Sequence, residues 1–160
     1  MRVGIGIDTH KLVSGSYLLL AGVRISSDKS IEAHSDGDIV FHSIADAIYG
    51  AVALGDIGQH FPDSDNSNKD IDSSIILTHS INSAKEKGFI INNIDIVILL
   101  QSPKIAKYNL DMIKNISRLL KCNTDCINIK ATTGEGLGFI GKHEGVTCHS
   151  IVSLKSSHIE

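Results

Sequence analysis

The nine residues that follow Met1 constrain the fold most strongly. Over residues 2–10, apolar side chains alternate with Gly4, Gly6 and Asp8. A period of two is typical of a β-strand, and it places His10 on the same side as Asp8 and the two glycines. Because glycine has no side chain, this side has room for another backbone or for a ligand to come close. The sequence thus predicts an opening strand that ends on two potential metal ligands.

A second segment, residues 35–48, predicts an amphipathic helix, because its apolar residues recur at helical spacing. Asp38, His42 and Asp46 stand four residues apart and line one face of this helix. We interpret Asp38 and Asp46 as residues that orient metal ligands or cap the helix.

Asp8, His10 and His42 together form a set suited to a divalent metal. One carboxylate and two imidazoles are ligands that zinc accepts, and a fourth open position is typical of a catalytic site. The alternative is that the Asp and His at the strand end are hydrogen-bonded or simply lie on the surface.

The rest of the chain predicts alternating strands and helices. Such alternation favours an α/β layer arrangement over a single sheet, within one domain spanning residues 1–160. The predicted elements are a hairpin over 17–25, a long polar loop over 54–68, a helix from Asp72 to Lys87, a buried strand over 94–100, a helix over 110–120, and strands over 127–130 and 146–155.

Charge, apolar patterning and cysteine number argue against several classes of protein. The net charge of −3, the scattered basic residues and the absence of Trp disfavour nucleic-acid binding. No apolar run reaches the ~20 residues that a membrane helix needs, and no signal segment precedes the first strand. The odd number of cysteines, at Cys122, Cys126 and Cys148, argues against a disulfide framework and for reduced thiols, with Cys148 buried. We expect a cytoplasmic protein, or an organellar one whose leader has been removed.

A second constellation follows the strand over 127–130. Residues 130–139 contain Thr132, Thr133, Glu135 and three glycines. Backbone N–H groups and hydroxyls of such a loop can contact phosphate oxygens while the carboxylate holds a hard cation such as Mg²⁺. A glycine-rich turn capped by Thr is the alternative. Lys104 and Lys142 add cationic groups that could meet phosphates.

These motifs, in this order, resemble one family, the 2-C-methyl-D-erythritol 2,4-cyclodiphosphate synthases of non-mevalonate isoprenoid (terpenoid) biosynthesis. The resemblance covers essentially the whole chain. It rests on residues 6–10, 33–38 with His42, 53–58, 61–63, 101–104, 130–135 and 141–145.

The resemblance implies a phosphorus–oxygen lyase that converts 4-diphosphocytidyl-2-C-methyl-D-erythritol 2-phosphate into the cyclic diphosphate and releases CMP. The substrate provides the nucleophile, so positioning and charge neutralisation must carry the catalysis. Asp8, His10 and His42 would hold Zn²⁺ or another divalent ion. Glu135 would hold Mg²⁺ or Mn²⁺.

The resemblance also implies roles for other residues. His34 and Thr133 match positions that stabilise the transition state. The positions that match substrate contacts are Ser35, Asp56, Ile57, Gly58, Phe61, Asp63 and Asp65 near the methylerythritol group, Leu100, Ser102, Pro103, Lys104, Ile105, Ala106, Ala131 and Thr132 in the cytidine pocket, and Phe139 and Lys142.

Members of this family have a mixed sheet with helices on one face, in a trimer like that of chorismate mutase. The resemblance therefore implies a homotrimer with active sites between subunits. Three residues depart from the family pattern: Gly134 replaces threonine, Gly136 replaces lysine, and Lys142 replaces arginine. The two glycines are expected to loosen the phosphate loop, and Lys142 keeps the charge but loses the bidentate fork.

Two other functions remain open at this point. A metal-dependent phosphohydrolase would use the same ions to activate water and would release free phosphate. A non-catalytic trimeric nucleotide-binding module would need no zinc.

Overall fold

The computed structural model describes residues 1–62 and 64–157 of the chain. It is an α+β fold in which helices pack against a mixed sheet of five strands. The strands are β1 (Arg2–Ser14), β2 (Tyr17–Leu20), β3 (Val23–Ser26), β4 (Lys29–Ile31), β5 (Phe89–Leu99), β6 (Ile127–Thr132) and β7 (Gly145–Ser156). The helices are α1 (Ile39–Ala51), α2 (Ile57–His60), α3 (Ser73–Glu86), α4 (Asn109–Leu120) and α5 (Gly138–Gly141), with 3₁₀ turns at Asn66–Asn68, Ala106–Tyr108 and Thr124–Cys126.

The sheet has the strand order β4-β1-β7-β5-β6, and the β2–β3 hairpin forms a separate two-stranded sheet. β5 and β6 are parallel, whereas the β1–β4, β1–β7 and β5–β7 pairs are antiparallel. The alternation of predicted elements suggested an α/β arrangement over one sheet. Only one parallel pair forms among the described strands, because β7 comes last in the chain and inserts between β1 and β5.

Helix α1 packs on β1 and β7 and lies almost entirely inside the core. A Cβ atom on Gly6 would lie 1.9 Å from the carbonyl oxygen of Ser43, and one on Gly4 equally close to that of Ala47. The two glycines therefore allow the helix backbone to rest on the strand, which answers the question left open by the sequence. Ile96, Cys148 and other buried residues continue this face across the sheet, and the prediction of a buried Cys148 is confirmed.

The opposite face of the sheet is apolar and exposed. Val3, Ile5 and Ile7 of β1 are 60%, 62% and 53% exposed, and Ile151 of β7, the cross-strand partner of Ile5, is 48% exposed. Contiguous exposed apolar side chains of this size usually mark an interaction surface.

Several elements differ from the sequence predictions. Helix α1 begins at Ile39 rather than near residue 35, since Asp38 is its N-cap, and it is buried rather than amphipathic. Leu110 was expected to mark the core face of α4 but is 72% exposed, and Met112 is buried instead. The short strand β4 was not predicted, and β5 is buried on one face only.

Among the described helices, none combines the length and the apolar character that a bilayer-crossing segment requires.

The contact between β1 and α1 gives a first prediction. Replacing Gly6 with Ala forces a methyl group into the backbone of α1, so we expect a loss of ~2 kcal/mol or more in the free energy of unfolding. Gly50→Ala is the matched control, because no atom lies within 4 Å of the added Cβ there. Since Gly50 lies in a helix, the control should gain ~0.5–1 kcal/mol. Urea unfolding measures both. Equal stability of Gly6→Ala and the wild type would contradict the close contact.

Candidate active site with a metal-binding cluster

Asp8 and His10, in the middle of β1, meet His42 near the start of α1. The sequence predicted a strand that ends on these ligands, but β1 continues to Ser14, where it pairs with β4. Asp8 Oδ2 lies 3.1 Å from His10 Nε2 and 3.2 Å from His42 Nδ1. The three potential ligand atoms lie within 4.8 Å of one another. Two of the ligands are two residues apart on one strand face, and the third enters from the helix that packs on the same face. The sequence prediction that these residues form a metal-binding cluster is therefore supported by their geometry.

The protonation of the cluster follows from its neighbours. Burial raises the pKa of Asp8, but hydrogen bonds and charge interactions with His10 and His42 outweigh it and hold this pKa below its usual range. The hydrogen bond that His10 donates to the Asp8 carboxylate raises the pKa of His10. His10 Nδ1 lies 3.0 Å from the carbonyl oxygen of Glu32 and donates to it in the neutral ring, which leaves Nε2 free as a ligand.

This donor set fits zinc. Ligands at ~2.0–2.1 Å from a tetrahedral zinc lie about 3.3 Å from one another, close to the spacing that Asp8 keeps to both histidines. The site has one carboxylate and two imidazoles, and its fourth side opens into a cavity. Three protein ligands with an open position are the pattern of catalytic rather than structural zinc sites.

The cavity beside the cluster has a volume of about 300 Å³. Four of the predicted substrate-contact residues line it, together with His34, the metal cluster and Asp46: Ser35, Ile57, Gly58 and Phe61. Asp56 lies next to these residues, and its side chain caps α2 by accepting from Gln59 N at 3.1 Å. Asp65 is exposed, and its carboxylate accepts from the backbone and side chain of Ser67, which lowers its pKa. Asp63 lies outside the described residues.

A second cavity, of about 410 Å³, lies at the ends of β5 and β6. Its lining contains seven of the residues predicted for the cytidine pocket, and also Gln101 and Thr133. The seven are Leu100, Pro103, Lys104, Ile105, Ala106, Ala131 and Thr132. Ser102 does not line it, because its Oγ instead contacts His143 Nδ1 at 3.1 Å. Among the described residues, the two cavities share no lining residue.

The loop after β6 holds the predicted phosphate-binding residues. The hydroxyl of Thr133 donates to the carboxylate of Glu135, which has a positive φ of 49°. Gly134 is packed closely, because a Cβ there would lie 2.7 Å from Gly141 N. Phe139 and Lys142 are exposed, and in the part of the chain that the structure describes they line neither cavity. A single chain thus does not bring them to the metal cluster.

Asp38 and Asp46 have the supporting roles expected from their spacing. Asp38 is fully buried, accepts from the backbone of Val40 and Phe41 as the N-cap of α1, and accepts from Ala21 and Gly22 in the hairpin turn. Burial raises its pKa to about 7, although the backbone N–H donors favour the charged form. Asp46 accepts from Ile57 N at 2.8 Å and so holds α2 beside the cavity.

Sequence reasoning missed Ser73 and Asp36. Ser73 Oγ lies 2.9 Å from His42 Nε2 and donates to Asp36. Ser73 is 31 residues from His42, and a serine at the start of a helix normally indicates capping. Only the fold brings these residues together.

Known proteins resemble this chain along its whole length. Residues 1–155 match the YgbB family. A 2-C-methyl-D-erythritol 2,4-cyclodiphosphate synthase of Clostridioides difficile is 50% identical over 154 residues, 96% of each chain. One from Chlorobium phaeovibrioides is 46% identical over 157 residues, 98% of this chain and 100% of its own.

Solved structures of similar proteins have the same fold as this chain. IspF of Plasmodium falciparum, determined as a CDP complex, superposes with a TM-score of 0.87 at 36% identity, over 98% of this chain and 97% of that one. The bifunctional IspDF of Campylobacter jejuni superposes with a TM-score of 0.92 at 44% identity over 97% of this chain, which spans 42% of that longer protein.

The mixed sheet, the Asp-His-His cluster and the adjoining cavity place the chain among α+β proteins built around a candidate metal centre. The chain belongs to the YgbB family. The relatives described above carry the name 2-C-methyl-D-erythritol 2,4-cyclodiphosphate synthase. The family resemblance seen in the motifs is therefore confirmed.

The metal cluster gives a second prediction. We expect one Zn²⁺ per chain to bind and to raise the melting temperature, because an ion that binds only the folded state stabilises it. Asp8→Asn keeps the shape of the side chain but removes the charge between the two histidines, so zinc should no longer raise the melting temperature. Asp95→Asn is the control, since Asp95 pairs with Lys130 on the exposed sheet face. Zinc titration with differential scanning fluorimetry tests this. An equal zinc response in Asp8→Asn would contradict the proposed ligand set.

Proposed function

We propose that this chain closes 4-diphosphocytidyl-2-C-methyl-D-erythritol 2-phosphate into 2-C-methyl-D-erythritol 2,4-cyclodiphosphate and releases CMP. An oxygen of the 2-phosphate attacks the β-phosphorus, the bond from this phosphorus to the bridging oxygen breaks, and CMP leaves with that oxygen. The function is that of a phosphorus–oxygen lyase in the non-mevalonate isoprenoid pathway. The Asp-His-His cluster, which opens into a cavity beside His34 and Ser35, is the observation that carries the proposal.

Two metal positions support this reaction. Asp8, His10 and His42 would hold zinc, and Glu135 would hold Mg²⁺ or Mn²⁺ with the substrate phosphates as further ligands, as is common for Mg²⁺. When bound, these ions supply positive charge and Lewis acidity at the reacting phosphates. The carboxylate of Glu135 has a hydroxyl partner in Thr133 and is exposed to an incoming ligand.

The protein side chains position the substrate rather than attack it. His34 lines the cavity beside the zinc ligands, where its imidazole can donate to a phosphate oxygen. The Thr133 hydroxyl, which donates to Glu135 here, would donate to a phosphate oxygen in the complex. Holding two phosphates in line is itself a large part of catalysis, so no serine or cysteine nucleophile is required.

The remaining site residues fall into two groups. Asp56 with Ile57, Gly58 and Phe61 would contact the methylerythritol hydroxyls, and we assign Ser35, Asp63 and Asp65 to the same end of the substrate. The cavity at the ends of β5 and β6 would hold the cytidine, where the main chain of residues 100–106 and 131–132 can read the base. Structures of relatives with bound CDP support a nucleotide ligand. We also keep Phe139 and Lys142 among the proposed substrate contacts.

We further propose a homotrimer with its active sites between subunits, in the chorismate-mutase-like arrangement. Two observations support this proposal. The sheet face formed by Val3, Ile5, Ile7 and Ile151 is apolar and exposed in the single chain. The metal cavity and the proposed nucleotide cavity share no lining residue among those described, as expected if a neighbouring chain completes the site.

The activity is tested by ³¹P NMR of the zinc- and magnesium-loaded protein with the diphosphocytidyl substrate. We expect signals of the cyclic diphosphate and CMP, and their loss in His42→Ala, because this variant lacks one of the three zinc ligands. Lys114→Ala is the control, since Lys114 lies on α4 and forms a surface ion pair with Asp111 at 3.7 Å. Linear products with free phosphate would indicate a hydrolase instead. Unchanged substrate with intact nucleotide binding would indicate a binding module.

The shared active site is tested by complementation. His42→Ala disables the metal cluster, and Ala106→Trp fills the nucleotide cavity, so each variant alone should be inactive. When both are co-expressed, about a quarter of the sites in a randomly mixed trimer combine an intact cluster with an intact pocket. Recovery of activity near that fraction is expected. No recovery, in assemblies shown to contain both chains, would contradict active sites between subunits.

A further inference from the structure

We infer that Ser73 and Asp36 are positioning residues that fix the imidazole of His42 for metal binding. This inference rests on the metal role proposed for His42. Neither residue is proposed to bind the metal. Ser73 contacts Nε2 of His42, the ring nitrogen that faces away from Asp8, and Asp36 acts through Ser73.

The contact is buried and direct. Ser73, the first residue of α3, is completely buried, and its Oγ lies 2.9 Å from His42 Nε2. The same hydroxyl donates to the Oδ1 atom of Asp36. Ser35 Oγ lies farther from the ring, at 3.3 Å, and already accepts from Gly37 N. Ser73 is therefore the main partner of this nitrogen.

The single hydroxyl proton sets the tautomer of His42. The Ser73 hydroxyl donates its hydrogen bond to Asp36. The Ser73 oxygen can therefore only accept a hydrogen bond from the His42 ring, so Nε2 must carry a hydrogen. In the neutral imidazole, Nδ1 then has the free lone pair. Nδ1 is the atom that lies 3.2 Å from Asp8 Oδ2, inside the metal cluster. The chain from Asp36 through Ser73 thus presents the correct nitrogen to the metal.

Asp36 is itself held firmly in place. Its Oδ2 accepts from Ser73 N at 3.1 Å, its Oδ1 also accepts from Asp38 N at 3.1 Å, and its own N–H donates to Ile71 O at 3.2 Å. These bonds tie the turn before α1 to the start of α3. A carboxylate held by two backbone N–H groups can keep the Ser73 hydroxyl in one orientation.

Helix capping does not explain the Ser73 hydroxyl. The N-cap of α3 is Asp72, whose carboxylate accepts from Ser74 N at 2.8 Å. The hydroxyl of Ser73 is directed at Asp36 and His42 instead. Partners of this kind, which donate to or accept from the second nitrogen of a metal-binding histidine, typically contribute 10–100-fold to metal affinity.

The experiment compares Ser73→Ala with Ser80→Ala. Ser80 lies in the same helix, is equally buried, and its hydroxyl donates to the carbonyl of Leu77 in that helix. Zinc affinity is measured by competition with a chromogenic chelator, and the Co²⁺-loaded proteins are compared by visible absorption. We expect ~10–100-fold weaker zinc binding and a changed Co²⁺ spectrum in Ser73→Ala. Ser80→Ala should match the wild type in both measurements, even where both variants lose similar stability.

Asp36→Asn provides a second test, because the amide oxygen is a weaker acceptor for the Ser73 hydroxyl. A smaller loss of zinc affinity in the same direction is expected, and this variant decides the question if Ser73→Ala does not fold. Equal zinc affinity in Ser73→Ala and Ser80→Ala, or no loss in Asp36→Asn, would overturn the inference. A wild-type protein that binds no zinc would instead overturn the proposed metal role, so the two failures are distinguishable.

Discussion

The structure depends on the direct contact between the backbone of α1 and strand β1. Two residues of a strand advance by ~6.7 Å and four residues of a helix by ~6 Å, so the two elements stay in step where they pack. Gly4 meets Ala47 and Gly6 meets Ser43, and two residues beyond Gly6 the side chain of Asp8 reaches His42, the helix residue next to Ser43. The metal cluster is therefore the continuation of the packing contact. The same glycines that admit the helix determine where the ligands meet.

A second constraint is the buried carboxylate of Asp38. It accepts backbone N–H groups from the hairpin turn and from the first turn of α1, so one side chain joins two elements that are distant in the chain. A buried charge is costly unless such donors surround it. Because His42 lies four residues after this cap, the orientation of α1 and hence of the ligand is set at the same point. Asp36, two residues earlier, extends this polar support to α3.

The sequence predicted those parts of the site whose residues are close in the chain or follow the regular spacing of a strand or helix. The opening strand, its paired ligands and the helix of His42 were readable from spacing alone. The burial of nearly all of α1 could not be predicted from the sequence, since it depends on the hairpin and α3 covering the outer side of this helix. Leu110 was misplaced because both Leu110 and Met112 fit an apolar helical face, and only tertiary packing chooses between them. No sequence motif marks Ser73 and Asp36 as partners of a metal ligand, so their role could be recognised only in the folded structure.

In the proposed trimer, each chain holds only part of an active site. In the proposed reaction one phosphate of the substrate attacks another phosphate of the same molecule. The protein must therefore control the distances between these two phosphates and the metals. Each chain fixes its own cluster rigidly through β1 and α1, and fixes its nucleotide cavity on β5 and β6. The separation between a cluster and the neighbouring cavity would then depend on how two sheets pack. Ile5 and Ile151 are exposed on the sheet face opposite α1. They would contribute to catalysis by setting that distance, although neither is proposed to contact the substrate.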